Sequence, residues 1–102
     1  MNERVPEFEE SLTTRSVAKE PSLYRVLLHN DNYTTMDFVV QVLETVFNKC
    51  PSEATQIMIS VHKNGTGICG IYIYEVAETK VSMVHSLAEK SGYPLKCSME
   101  EI

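Results

Sequence analysis

Three histidines, the run Asn30-Asp31-Asn32, three cysteines and five methionines are the side chains here whose types could do chemistry. Bond breaking needs a nucleophile beside a base, or a set of metal ligands. The chain carries no GxSxG, no HExxH and no P-loop. Gly65-Thr66-Gly67 is too short to cradle a phosphate and reads as a loop. Cys50, Cys69 and Cys97 are odd in number, widely spaced and form no CxxC, which argues against a metal site or a disulfide framework. Cys69 and Cys97 fall in apolar, strand-like runs and read as buried thiols. His85 falls on the polar side of a helix and reads as solvated, while His29 ends a strand and reads as an edge or surface histidine.

His62 stands four residues after Met58 and one after Val61, so it flanks an apolar helix face at that helix's end. A structural or exposed histidine and a site histidine both remain open there. The same holds for Asn30-Asp31-Asn32, which fits a turn as well as a site. A fold that brings this cluster, Met36 and the Met58–His62 face together would make a single place out of them.

The elements that must position these residues are legible from pattern. Leu23 to Asn30 (LYRVLLHN) is rich in β-formers and predicts a buried strand, broken by Asn30-Asp31-Asn32. Thr34, with Asp37 three residues on, predicts a helix start. That helix is expected to run to about Asn48, with Phe38, Val42, Val46 and Val39, Leu43, Phe47 as its apolar stripe. Cys50-Pro51 stops it, and Ser52 is the expected cap of a second helix whose inward face is Ala54, Ile57, Met58 and Val61. Asn64-Gly65 supplies its left-handed end.

Ile68 to Glu75 (ICGIYIYE) is β-branched and aromatic, and predicts the clearest strand in the chain. A third helix follows from about Val76, with Val81, Val84, Leu87 and Ala88 inward, until Gly92-Tyr93-Pro94. Leu95, Cys97 and Met99 alternate with polar residues in a last half-buried strand. The order β-α-α-β-α-β predicts an α+β fold, a three-stranded antiparallel sheet packed with three helices. Residues 22–102 make one compact domain. Residues 1–21, with five glutamates and scattered apolar residues, are expected to be a flexible N-terminal extension.

Composition narrows the function. Nine Lys and Arg against 14 Asp and Glu give a net charge of -5, which argues against nucleic-acid binding. No apolar run approaches the ~20 residues of a membrane helix, and the first residues show no signal-peptide core. A cytoplasmic monomer without cofactor is the expectation.

The run HNDNYTTMDFV at residues 29–39 resembles the ClpS signature, in which Asn-Asp-Asp-Tyr-Thr-Pro-Met-Glu-Phe-Val follows the first strand. ATQIM with VH at Ala54–His62, ICG at Ile68–Gly70, EVAETKV at Glu75–Val81 and PLKC at Pro94–Cys97 match in the same order. The resemblance implies an N-degron adaptor that binds the first residue of a substrate (Leu, Phe, Tyr or Trp) and delivers the substrate to a Clp AAA+ protease. Asn30 and His62 then match residues that hold the substrate's α-amino group, His62 through a water, and Asp31 and Asn32 match the two acidic positions of the same cluster. Met36 matches a gatekeeper against β-branched first residues. Val39, Met58, Val61 and Leu95 match the side-chain pocket, and Thr34 the helix cap beside it. Glu75 and Lys80 match positions that dock on the N-domain of the ClpA or ClpC unfoldase.

Physical chemistry agrees with that assignment. A protonated α-amino group offers three N–H donors where a chain-internal residue offers one, so clustered acceptors separate a chain start from a chain interior. An apolar hollow beside them gains about 1.5–3 kcal/mol from a desolvated large side chain. Recognition, without bond breaking, is all these groups provide. Two departures stand out: Asn32 replaces the second Asp of the signature, and Thr35 replaces its Pro. Two rival readings fit the residues less well. The topology is also that of a ribosomal-stalk-like, translation-associated module, but that analogy rests on fold alone. A metal hydrolase built on His29, Asp31 and His62 has too few ligands.

Overall fold

The computed structural model describes residues 20–102. The expected N-terminal extension therefore lies outside the described residues except for Glu20 and Pro21. Within them the order is β1 (Leu23–His29), α1 (Met36–Thr45), α2 (Pro51–Asn64), β2 (Thr66–Ile73), α3 (Tyr74–Ser91) and β3 (Lys96–Glu101). The α+β class, the element order and the three-stranded antiparallel sheet are as the pattern predicts.

β1 runs down the middle of the sheet, in the order β2-β1-β3, antiparallel to both neighbours. Alternation along a strand sends successive side chains to opposite faces. On one face Val26 and Leu28 are fully buried and meet Cys69 and Cys97 from the flanking strands. The helices cover that face with Phe38, Val39, Val42, Leu43, Ala54, Val61, Ala77, Val84 and Ala88. The other face pairs Leu23 with Ile73 and Arg25 with Ile71, and leaves Leu23, Ile71 and Ile73 exposed. Cys69 and Cys97 are free and buried, and burial raises the thiol pKa of both, that of Cys97 to about 12.

Four of the element ends that differ from their expected places have a clear local reason. α1 is capped by Thr35, whose Oγ1 accepts from the Phe38 N–H at 3.1 Å. Thr34, the expected cap, is occupied by Asp31, which takes both its N–H and its hydroxyl. At its other end α1 stops at Thr45, because Val46 and Phe47 turn into the core and Asn48 adopts a left-handed φ of 56°. α2 begins on Pro51 with Cys50, not Ser52, as N-cap. A proline already has the helical φ and no N–H to satisfy. β2 gives up Tyr74 and Glu75 to α3, where Tyr74 packs edge-on against Tyr24 at 5.3 Å. Aromatic and β-branched composition favours a strand through these two residues, and the tertiary contact overrides it.

Lys80 joins two of these layers. Its Nζ donates to the carbonyl of Val46, the C-cap of α1, at 2.8 Å. It also lies 5.8 Å from the Phe47 ring centre and 5.4 Å from that of Tyr72. A cation at a helix C-terminus, over two aromatic faces, meets the dipole and the ring quadrupoles together. Lys80→Met should therefore lower the free energy of unfolding by about 1–2 kcal/mol. Urea titration should show a lower midpoint with an unchanged slope. An unchanged midpoint would mean that the Lys80 contacts contribute nothing net.

Candidate functional site

The six residues from Asn30 to Thr35 connect β1 to α1, and their geometry is set by two groups of hydrogen bonds. The Asn30 N–H donates to the Gly65 carbonyl at 2.9 Å, which ties the start of the loop to the end of α2. Gly65 supplies that end because its φ of 90° is left-handed, a region open to glycine at little cost. Asp31 then staples the loop to itself. One carboxylate oxygen accepts from the Tyr33 N–H at 2.8 Å and the Thr34 N–H at 2.7 Å, and the other accepts from the Thr34 hydroxyl at 2.7 Å.

Between this loop, α1 and α2 lies a hollow of about 250 Å³. Asn30, Asp31, Asn32 and Thr34 come from the loop, Met36 and Val39 from α1, and Met58, Val61 and His62 from α2. Val39 and Val61 are buried and form its floor, while Asn30, Asn32, Met36 and His62 are exposed at its rim. The i, i+3, i+4 spacing of Met58, Val61 and His62 puts all three on one face of α2. The arrangement offers oxygen and imidazole acceptors above an apolar floor.

Nine of the residues singled out from sequence thus share one place. Leu95 is not among the residues around the hollow and is buried at 3% exposure, as Val61 is. Its position just after the Gly92-Tyr93-Pro94 turn draws it inward with Cys97. Thr34 lines the hollow as expected, but as a partner of Asp31 and not as a helix cap. Asp31 spends both carboxylate oxygens on its own loop, so much of its acceptor capacity is already in use. Glu75 and Lys80 belong to α3, outside the hollow, with Glu75 exposed and the Lys80 ammonium turned onto Val46.

Three features were not read from the sequence. Gly67, read as part of a loop, is the second residue of β2, where a Cβ would stand 2.7 Å from Val61 Cγ2 and 3.1 Å from the Ile57 carbonyl. Its bare backbone lets α2 and the hollow's floor approach the sheet, and a glycine at the head of a β-branched run was the available signal. Tyr93 stacks on Phe38 at 4.7 Å and places its hydroxyl 3.5 Å from Thr35 Oγ1, linking a distant turn to the cap of α1. His85, expected to be solvated, is exposed but accepts the Cys97 N–H on Nε2 at 3.0 Å. His29, outside the hollow, is half-buried and lies 2.7 Å from Ser98 Oγ. Among the described residues no cluster of His, Cys, Asp and Glu could hold a metal, and no helix is long and apolar enough to cross a membrane.

Helices over one face of a small sheet, with an acceptor rim above an apolar hollow, define an α+β binding domain. The family model for "ATP-dependent Clp protease adaptor protein ClpS" matches residues 19–98. Relatives called ATP-dependent Clp protease adapter protein ClpS include one from Oleidesulfovibrio alaskensis, 61% identical over 82% of this chain and 81% of that protein. Another, from Syntrophus aciditrophicus, is 57% identical over 81% of this chain and 78% of its own length. Among solved structures, Agrobacterium tumefaciens ClpS2 bound to L-phenylalaninamide superposes with a TM-score of 0.79 at 32% identity, covering 81% of this chain and all of that one. The chain belongs to the ClpS family of Clp protease adaptors.

The Asp31 staple has a pH signature. Burial, the largest influence, raises the carboxyl pKa, but the bonds from Thr34 backbone, Thr34 hydroxyl and Tyr33 backbone together outweigh it and the net shift is downward. A depressed folded pKa means the staple contributes fully above the ordinary aspartate value and is lost as pH falls through the lower folded value. Asp31→Ala removes it at every pH. The Tyr33 and Thr34 amides should then exchange with solvent about tenfold faster or more, while those of Val26 and Leu28 stay protected. Unchanged exchange at Tyr33 and Thr34 would show that the loop holds without the carboxylate.

Proposed function

We propose that this adaptor receives the first residue of substrate proteins beginning with Leu, Phe, Tyr or Trp. The α-amino group lies against the Asn30, Asn32 and His62 rim, and the side chain enters the hollow between Met36, Val39, Met58 and Val61. The adaptor then delivers its substrate to the N-domain of a ClpA- or ClpC-type unfoldase, with Glu75 on the docking side. The observation that carries this reading is the acceptor rim directly above an apolar floor. An ammonium needs the first, and a large uncharged side chain needs the second. The ligand of the Agrobacterium ClpS2 structure has the same two parts, a free α-amino group and an aromatic side chain.

Asn32 is exposed at the rim with a neutral oxygen where the family signature has a carboxylate. Charge assistance roughly doubles the strength of such a hydrogen bond. In fluorescence titrations, peptides beginning with Leu or Phe should bind, and their N-acetylated forms should not. Asn32→Asp should tighten binding by about 1 kcal/mol at low salt, with the gain shrinking as salt screens it. The gain should also fade above the α-amino pKa of about 8, where the ammonium is lost. Equal binding of free and acetylated peptides would refute the reading.

Met36 stands at the mouth of the hollow in the first turn of α1. A flexible thioether there leaves room for side chains that branch at Cγ and crowds those that branch at Cβ. Met36→Ala should therefore admit peptides beginning with Ile or Val, which the parent rejects. An unchanged Leu-to-Ile preference would remove the gatekeeper role.

A further inference from the structure

Two walls of the hollow are thioethers. Met36 is 47% exposed at the mouth, and Met58 is half-buried on the α2 side. Met83 offers a built-in comparison: it is 44% exposed, yet it lies on the outer side of α3 among Glu78, Thr79 and Ser82, away from the hollow. We propose that Met36 is a reversible oxidation site, at which conversion of the thioether to the sulfoxide by a hydroperoxide closes the hollow to apolar first residues. This inference rests on the reading of the hollow given above.

The chemistry is a two-electron transfer. The Met36 sulfur donates a lone pair to one peroxide oxygen and the O–O bond breaks. An S–O bond forms, and the proton on the transferred oxygen passes to the departing hydroxide or alkoxide, which leaves as water or an alcohol. Sulfur is oxidised and the hydroperoxide reduced, and a methionine sulfoxide reductase reverses the step. The product is polar and chiral where the parent side chain was apolar. The floor beneath it, Val39 and Val61, has no side-chain donor to offer the new oxygen, which is left to water or to the N–H groups of Asn30, Asn32 and His62 at the rim. With either partner the polar sulfoxide occupies the mouth through which an apolar side chain would enter, and burying it under that side chain would strip its hydrogen bonds.

Cys50 requires separation in the test. It is an exposed free thiol with its pKa lowered by the Ser52 hydroxyl and the Glu53 N–H, so peroxide reaches it too. It caps α2 outside the hollow. The purified chain is treated with hydrogen peroxide, quenched, and incubated with dithiothreitol, which reverses sulfenic acids and disulfides but not sulfoxides. It is then mapped by mass spectrometry and titrated with a fluorescent Leu-initiated peptide.

Affinity should fall about tenfold or more in step with Met36 sulfoxide, and not with Met83 sulfoxide. Reductases for both sulfoxide epimers should restore it. Peptide present during oxidation should shield Met36 but not Met83. Met83→Leu should lose affinity as the parent does. Met36→Leu, measured against its own untreated affinity, should lose less than about twofold. Full affinity with Met36 converted, loss that tracks Met83, or recovery with dithiothreitol alone would each overturn the inference while leaving the reading of the hollow intact. An untreated protein that binds no Leu-initiated peptide would overturn that reading, and this inference with it.

Discussion

Val26 and Leu28, the two fully buried side chains of β1, set the arrangement on which the rest depends. A sheet of three strands needs helices over its apolar face, and the central strand gains most from that cover because both its edges are already paired. Once Val26 and Leu28 point inward, α3 packs across the sheet with Ala77, Val84 and Ala88 facing down, α2 packs beside β2, and α1 packs on α2. The chain leaves β1 at its His29 end and must enter α1 within six residues. The hollow sits where that short connection passes α2, so its location follows from the burial of the sheet.

Polarity is concentrated at that same point without leaving groups unsatisfied. Among the described residues no buried side-chain nitrogen or oxygen lacks a partner. Asp31 keeps a carboxylate half-buried by turning it onto the backbone and hydroxyl of its own loop, and Asn30 gives its N–H to Gly65. A rim held this way loses little freedom on meeting a ligand, which is where preorganisation raises affinity. The Asn30 and Asn32 side chains, exposed beside Asp31, keep their own acceptors available.

The walls contrast with the rim. Val39 and Val61 are β-branched, stiff and buried, and Gly67 lets the Val61 side of α2 settle close to β2. Met36 and Met58 are unbranched and soft, walls that can mould to more than one apolar shape. The same softness exposes a sulfur. Distant residues join this balance: Tyr93 braces the Thr35 cap next to Met36, and Lys80 holds the far end of α1 at Val46.

Much of this is legible in the sequence. Period and breakers gave all six elements in order, because each is amphipathic enough to betray the face it buries. The short HNDNYTTMDFV run marked the loop and the start of α1, since Asn, Asp and Thr are residues that bind nearby backbone. The errors fell at element ends. Thr34 and Thr35 are equally good caps by composition, and only the capture of Thr34 by Asp31 decides between them. Tyr74 and Glu75 read as strand until Tyr24 packs against Tyr74. By itself the sequence determined the fold class, the element order and the residue types at the site, because these rest on local pattern. Tertiary structure alone decided that Lys80 anchors α1 and that Met36 stands open at the mouth. Those roles depend on which groups meet across 34 residues of chain, as Lys80 and Val46 do, and no local pattern encodes such a distance.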